Sequence, residues 1–137
     1  MDKCDAKTLL KQNNLKLTRQ RVLLLETIIN SGKVFSAISL QGKVENSMDL
    51  VTIYRILTIF LENKIIREVI SNDITRFYEL SCKHHPVHPH FVCRKCNTII
   101  CLPAVNDNYV SKIKRIAGEN IIEDITIQVT GICSKCK

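Results

Sequence analysis

Two Cys-x-x-Cys pairs, Cys93-Arg-Lys-Cys96 and Cys133-Ser-Lys-Cys136, stand 36 residues apart and constrain this chain more than any other feature. Such a turn lets two sulfurs grip one ion at about 2.3 Å, and two turns complete a closed tetrahedral site with no position left for water or substrate. A closed site is structural, and Zn²⁺ is its natural occupant. Paired redox motifs or disulfides are the competing uses of the same residues. The total of seven cysteines argues against a purely disulfide framework, because an odd number leaves one unpaired. The spacer exceeds the roughly 15–20 residues of a simple zinc ribbon. Its pattern predicts a strand at Thr98–Leu102, a helix over Val105–Ala117 with Val105, Tyr109, Val110, Ile113 and Ile116 at helical spacing, and a strand over Ile121–Val129. About three strands and one helix make a small core for about 55 residues, so metal and a second copy of the chain are expected to complete it.

Composition divides the chain. All four histidines and six of the seven cysteines lie from Cys82 onward, while the first eighty residues hold one cysteine and no proline. Two domains are expected, over residues 1–80 and 81–137. In the first, Ala6–Asn13 reads as a helix, and Thr18 caps a second over Arg19–Asn30 that Gly32 ends. Ser36 caps a third through Val44, and Asp49 or Ser47 caps a fourth from Leu50 to Asn63, with Val51, Ile53, Ile56, Leu57, Phe60 and Leu61 as its apolar positions. The period then changes to two, so Ile65–Ile70 and Thr75–Leu80 read as strands joined by a turn at Ser71-Asn72-Asp73-Ile74. Helices followed by a hairpin predict an α+β chain: an N-terminal winged helix-turn-helix, then a small α/β dimerisation domain carrying a Cys₄ zinc site.

The net charge of +7 fits a polyanionic partner, with twelve basic against nine acidic residues up to position 80 and eight against four beyond it. Four thiolates on one Zn²⁺ would make the second part less basic than this formula. In a winged helix, the helix before the wing can enter a major groove. On Leu50–Asn63 the polar residues are Thr52, Tyr54, Arg55 and Thr58. Arg55 can pair bidentately with guanine, while Thr52 or Tyr54 can reach phosphate or a thymine methyl; the plainer reading makes Tyr54 half-buried core and Arg55 a solvated charge. No stretch approaches the roughly 18–20 apolar residues of a membrane span, and no apolar run of signal length follows Met1, so a cytoplasmic protein without a membrane partner is expected. Enzymatic activity is not expected, since neither His-Glu-x-x-His nor His-x-Glu is present.

Between the halves runs Cys82-Lys-His84-His85-Pro-Val-His88-Pro-His90-Phe-Val-Cys93. His88 and His90 alternate on an extended segment and can share an ion. Cys82 can fold back to join them, Cys101 follows on the next strand, and Glu68 and Glu79 on the hairpin are oxygen candidates. A second metal site is therefore expected. Cys4, near one end, reads as a free thiol.

Four stretches together resemble the ferric uptake regulator family: Leu15-Lys16-Leu17-Thr18-Arg19-Gln20-Arg21, Val51-Thr52-Ile53-Tyr54-Arg55-Ile56-Leu57, His88-Pro-His90-Phe-Val-Cys93-Arg-Lys-Cys96 and Cys133-x-x-Cys136. The resemblance implies a homodimeric, metal-responsive transcription regulator, a repressor of metal-uptake genes bound to a palindromic double-stranded operator. By the same resemblance Tyr54 and Arg55 contact DNA from the recognition helix, Lys16, before the second helix, contacts its backbone or minor groove, and Cys93, Cys96, Cys133 and Cys136 hold structural zinc; Thr52 and Arg19 are further candidates for DNA contact. The sensory site departs from the family's pattern. Val34 stands where a histidine is common, Pro89 where an aspartate separates two histidines, and Cys101 where a carboxylate follows the second knuckle cysteine. Thiolate in place of carboxylate favours softer, tetrahedral Zn²⁺ over Fe²⁺ or Mn²⁺. The expected regulatory ligands are thus Cys82, His88 and His90 with Glu79, Glu68 or Cys101, as in the family's zinc uptake regulator branch. An iron or peroxide sensor is the alternative, and a thiol switch through Cys82 and Cys101 is another.

Overall fold

Short polar side chains start the helices of the first half. Asp5 accepts from Thr8 N–H at 3.0 Å and opens α1 (Ala6–Gln12). Thr18 Oγ1 accepts from Arg21 N–H at 3.2 Å at the head of α2 (Arg19–Ser31). Ser36 and Ser39 exchange bonds of 2.9 and 3.1 Å ahead of α3 (Ala37–Val44), and Asp49 accepts from Thr52 N–H at 2.8 Å to open α4 (Leu50–Glu62). Each bond satisfies one of the orphan N–H groups of a first helical turn. Asp49, rather than Ser47, is the cap of α4, and Asp5 is a cap the sequence pattern did not reveal.

The computed structural model describes residues 5–31, 34–44, 47–69, 75–81 and 88–137. Its described residues form two compact units, one up to Ser81 and one from His88 on. The expected turn at Ser71-Asn72-Asp73-Ile74, the helix stop at Gly32, and Cys4, Cys82, His84 and His85 lie outside the described residues.

In the first unit the four helices are followed by an antiparallel hairpin, β1 (Ile66–Val69) and β2 (Phe77–Leu80), in the register Ile66↔Leu80 and Arg67↔Glu79. Both strands are shorter than expected. An isolated bridge ties the hairpin back to the helices: Phe35 and Tyr78 exchange backbone bonds of 2.9 and 2.8 Å, and their rings lie 5.8 Å apart. One core unites Leu24, Leu25 and Ile28 of α2, Leu40 of α3, Ile53, Leu57 and Phe60 of α4, and Ile65, Ile66 and Tyr78. The period of α4 is read correctly except at Val51, which faces solvent.

The second unit is a three-stranded sheet in the order β4-β3-β5, from β3 (His90–Cys93), β4 (Ile99–Cys101) and β5 (Gln128–Gly131). β3 pairs antiparallel with β4 and parallel with β5. The parallel pairing needs a crossover, and α5 (Asp107–Ala117) lies within it, capped by Asn106 and ended by Gly118 at φ 66°. The helix therefore begins two residues after Val105. The expected strand over Ile121–Val129 is corrected: only Gln128–Gly131 joins the ladder. Alternation signals a chain with one face to cover, but a strand also needs a neighbour, and β3 begins at His90, opposite Gln128, so the ladder ends with the bond from His90 N–H to Ile127 C=O at 3.1 Å.

Candidate metal centre and DNA-reading face

Parallel pairing of β3 with β5 sets Cys93 opposite Gly131, two residues before Cys133. Each Cys-x-x-Cys then turns back on itself, with Asn97 N–H donating to Cys93 C=O at 2.8 Å and Cys136 N–H to Cys133 C=O at 3.0 Å. Asn97 completes the first turn at φ 61°, a left-handed conformation that asparagine tolerates. The sulfurs of Cys93, Cys96, Cys133 and Cys136 all come within 4.8 Å of one another. Cys96 Sγ and Cys133 Sγ are 3.7 Å apart, close to the roughly 3.8 Å edge of a tetrahedron whose arms are about 2.3 Å. Cys93 and Cys133 are buried, and Cys96 is exposed.

Electrostatics also calls for a cation. Backbone N–H groups of Cys133 and then Cys96 donate to the Cys93 sulfur and lower that thiol to about 6. Cys136, whose thiol is hydrogen-bonded with those of Cys133 and Cys96, is pushed up to about 12. Four thiols this close cannot all ionise unless a cation neutralises them, which is the condition for metal binding. The donor set fits a structural metal ion. Two supporting groups escaped the sequence reading: Thr98 Oγ1 lies 3.0 Å from Cys96 Sγ, and Lys95 Nζ donates to Cys136 C=O at 3.5 Å.

On the same sheet His90 pairs with Cys101 across β3 and β4, and the His88 and His90 rings lie 4.6 Å apart. A donor atom from each of His88, His90 and Cys101 comes within 4.8 Å of the others. His90 is buried and Cys101 exposed. Two imidazoles and a thiol can bind a borderline-soft divalent ion with a position to spare. Glu79 and Glu68 belong to the hairpin of the first unit. Glu79 is buried and meets Arg67 Nε at 2.6 Å, directly across the strands, while Glu68 is half exposed with Arg76 Nε at 3.9 Å. The Arg67 partnership could have been read from their opposite charges at facing hairpin positions.

The residues expected to meet DNA lie at the surface of the first unit. Lys16, Arg19, Tyr54 and Arg55 are exposed and Thr52 is partly so. Tyr54 retains 46% of its surface, so it is not a core residue. Lys16 also accepts a bond at its carbonyl from Arg21 Nη1 at 3.1 Å, which holds the segment entering α2.

A winged helix followed by a small sheet domain with a thiol cluster defines a metal-binding DNA-binding protein. The profile of the ferric uptake regulator family matches residues 12–130. The chain belongs to that family and is a metal-responsive transcription regulator. It is 30% identical to the ferric uptake regulation protein of Campylobacter upsaliensis over 95% of this chain and 85% of that one. It is 23% identical to the peroxide operon regulator of Bacillus subtilis strain 168, over 93% and 88%. The crystal structure of the Vibrio cholerae ferric uptake regulator superposes with a TM-score of 0.72 at 27% identity, covering 94% of this chain and all of that one. No described helix is long and apolar enough to cross a membrane.

Proposed function

We propose that the chain is a zinc-sensing, homodimeric repressor of metal-uptake genes, with residues 1–80 reading DNA and 81–137 binding metal and the second copy. Cys93, Cys96, Cys133 and Cys136 hold a structural Zn²⁺ that ties β3 to β5. His88, His90 and Cys101 provide the regulatory site, with Cys82 as its further donor. The observation that carries the zinc assignment is the proximity of Cys101 to both histidines, which gives a nitrogen and sulfur donor set preferring Zn²⁺ to Fe²⁺ or Mn²⁺. Val34, with no donor atom in its side chain, further depletes the set a harder metal would use.

Homodimerisation is supported by α5, which recurs apolar at Tyr109, Val110, Ile113 and Ile116 yet buries no residue, and by Ile121, 91% exposed. A second copy would cover these surfaces, and would present two α4 helices to successive major grooves of a palindromic operator, through contacts from Lys16, Arg19, Thr52, Tyr54 and Arg55. Regulatory metal then favours the dimer arrangement that binds DNA; tenfold tighter binding requires only about 1.4 kcal/mol of coupling. A second reading, iron or peroxide sensing, is favoured by the names of the relatives in Campylobacter and Bacillus.

The test is metal analysis of reduced protein equilibrated anaerobically with Zn²⁺ and Fe²⁺ in competition, then treated with a mild chelator. Two zincs per chain, one of them labile and required for operator binding, is the expected result. One tight zinc with labile iron would replace this reading by the second, and one zinc with nothing labile would favour a thiol switch involving Cys101.

A further inference from the structure

The outward stripe of α4 runs Val51, Tyr54, Arg55 and Thr58, at spacings of three, four and seven residues from the first, while Ile53, Ile56, Leu57 and Phe60 point into the core. Val51 is 57% exposed. Its residue type belongs with the core set, and a β-branched side chain on an exposed first turn adds nothing to helix formation. Around it the surface suits a polyanion. The stripe holds a guanidinium and two hydroxyls, and it carries no carboxylate before Glu62 at the far end of the helix. Asp49 is occupied in capping, through Thr52 N–H at 2.8 Å.

We propose that Val51 is a specificity-determining residue that packs on the 5-methyl group of a thymine in the major groove, beside the base met by Arg55. The inference rests on the reading of α4 as the DNA-reading helix. The first turn of a recognition helix meets the base edges, and the thymine methyl is the apolar feature that the major groove offers there. Valine neither donates nor accepts a hydrogen bond, so it discriminates only by burying that methyl and by leaving the polar edge of another base unpaired. Arg55, one helical turn on, reads a neighbouring base through hydrogen bonds, so the two side chains would read adjacent positions by different chemistry.

Deoxyuridine removes this methyl and nothing else. The zinc-loaded full-length chain is used to select an operator from random duplexes, and each thymine of that operator is then replaced singly. Affinities are measured for the wild type and for Val51→Ala, whose exposed position leaves the core untouched. At one thymine per half-site the replacement weakens the wild type about fourfold, the worth of one buried methyl. Val51→Ala is weaker by a similar factor on the thymine operator and indifferent to the replacement at that position. Equal responses of both proteins at every thymine would overturn the proposal and leave α4 as the reading helix, with any methyl sensitivity assigned to Tyr54. A selection that enriches no sequence would overturn both this inference and the DNA-reading role on which it rests.

Discussion

The two units are held together by different physics. The first buries a continuous apolar core drawn from four helices and a hairpin, with Leu24, Leu25, Ile53 and Phe60 fully enclosed. Among the described residues of the second, the buried ones are Val92, Cys93, Cys133 and His90, and α5 buries none of its side chains. Hydrophobic burial scales with apolar area removed from water, so the first unit has a driving force of its own, whereas the second buries little and carries a thiol cluster that could hold a metal ion; on the proposed function, metal and a second copy supply the rest. The difference suits the proposed function, in which the first unit reads DNA and the second binds the metal that regulates it.

Cys133→Ser gives the largest break in this comparison. A structural zinc site carries on the order of 10 kcal/mol of binding free energy that is also folding free energy. Loss of one thiolate is therefore expected to release the metal, unfold the second unit and abolish dimerisation, while the amide resonances of α2 and α4 keep their dispersion. Zinc content, sedimentation and amide spectra measure the three effects, and a fully dimeric variant would show that apolar packing already suffices there.

The converse substitution is Phe60→Ala. It empties a fully buried site among α4 and its neighbours, at a cost of roughly 3–5 kcal/mol. Chemical denaturation followed at first-unit amides should show that loss, with the zinc stoichiometry unchanged. Loss of zinc in this variant would mean that the units are not energetically separable.

The same contrast decides what could be read from the sequence. Caps at Thr18, Ser36 and Asp49 and the period of α4 are local signals, and they place the helices of the first unit to within a residue or two. The thiol cluster was legible because Cys-x-x-Cys spacing encodes the geometry of a ligand pair. Three features were not legible. Parallel pairing of β3 with β5 joins residues nearly forty positions apart through backbone alone, and side-chain pattern carries no record of it. The segment over residues 121–126 has the alternation of a strand and yet forms none. Val51 has the character of a core residue and the position of a surface one, a local disagreement of the kind expected at a functional face.

His90→Ala sharpens the comparison inside the second unit, by separating its response from its fold. His90 lies beside His88 and opposite Cys101, apart from the four-cysteine cluster. The variant should keep one tight zinc and remain dimeric while losing the metal dependence of operator binding, a coupling typically on the order of 5- to 150-fold. Titration of operator with and without added Zn²⁺ measures it. An unchanged response would place the sensor elsewhere.

The smallest effect belongs to Asp49, and it tests whether the first unit owes anything to electrostatics at the head of its reading helix. Hydrogen bonds from Thr52, side chain first and then backbone, hold the Asp49 carboxyl below the usual carboxylate range. A group whose pKa is lower folded than unfolded stabilises the fold fully above the unfolded value of about 4, and the contribution fades as pH falls through the folded value. Asp49→Ala should therefore lower the melting temperature of the first unit slightly at pH 6, with the gap to the wild type narrowing as pH falls below the ordinary carboxylate range. Acid also strips metal from thiolates, so the melt must be followed at first-unit amides, where Ile53 N–H closes the opening turn onto Asp49 C=O at 3.1 Å. A gap that persists at low pH would mean that the cap works through its local geometry and not its charge.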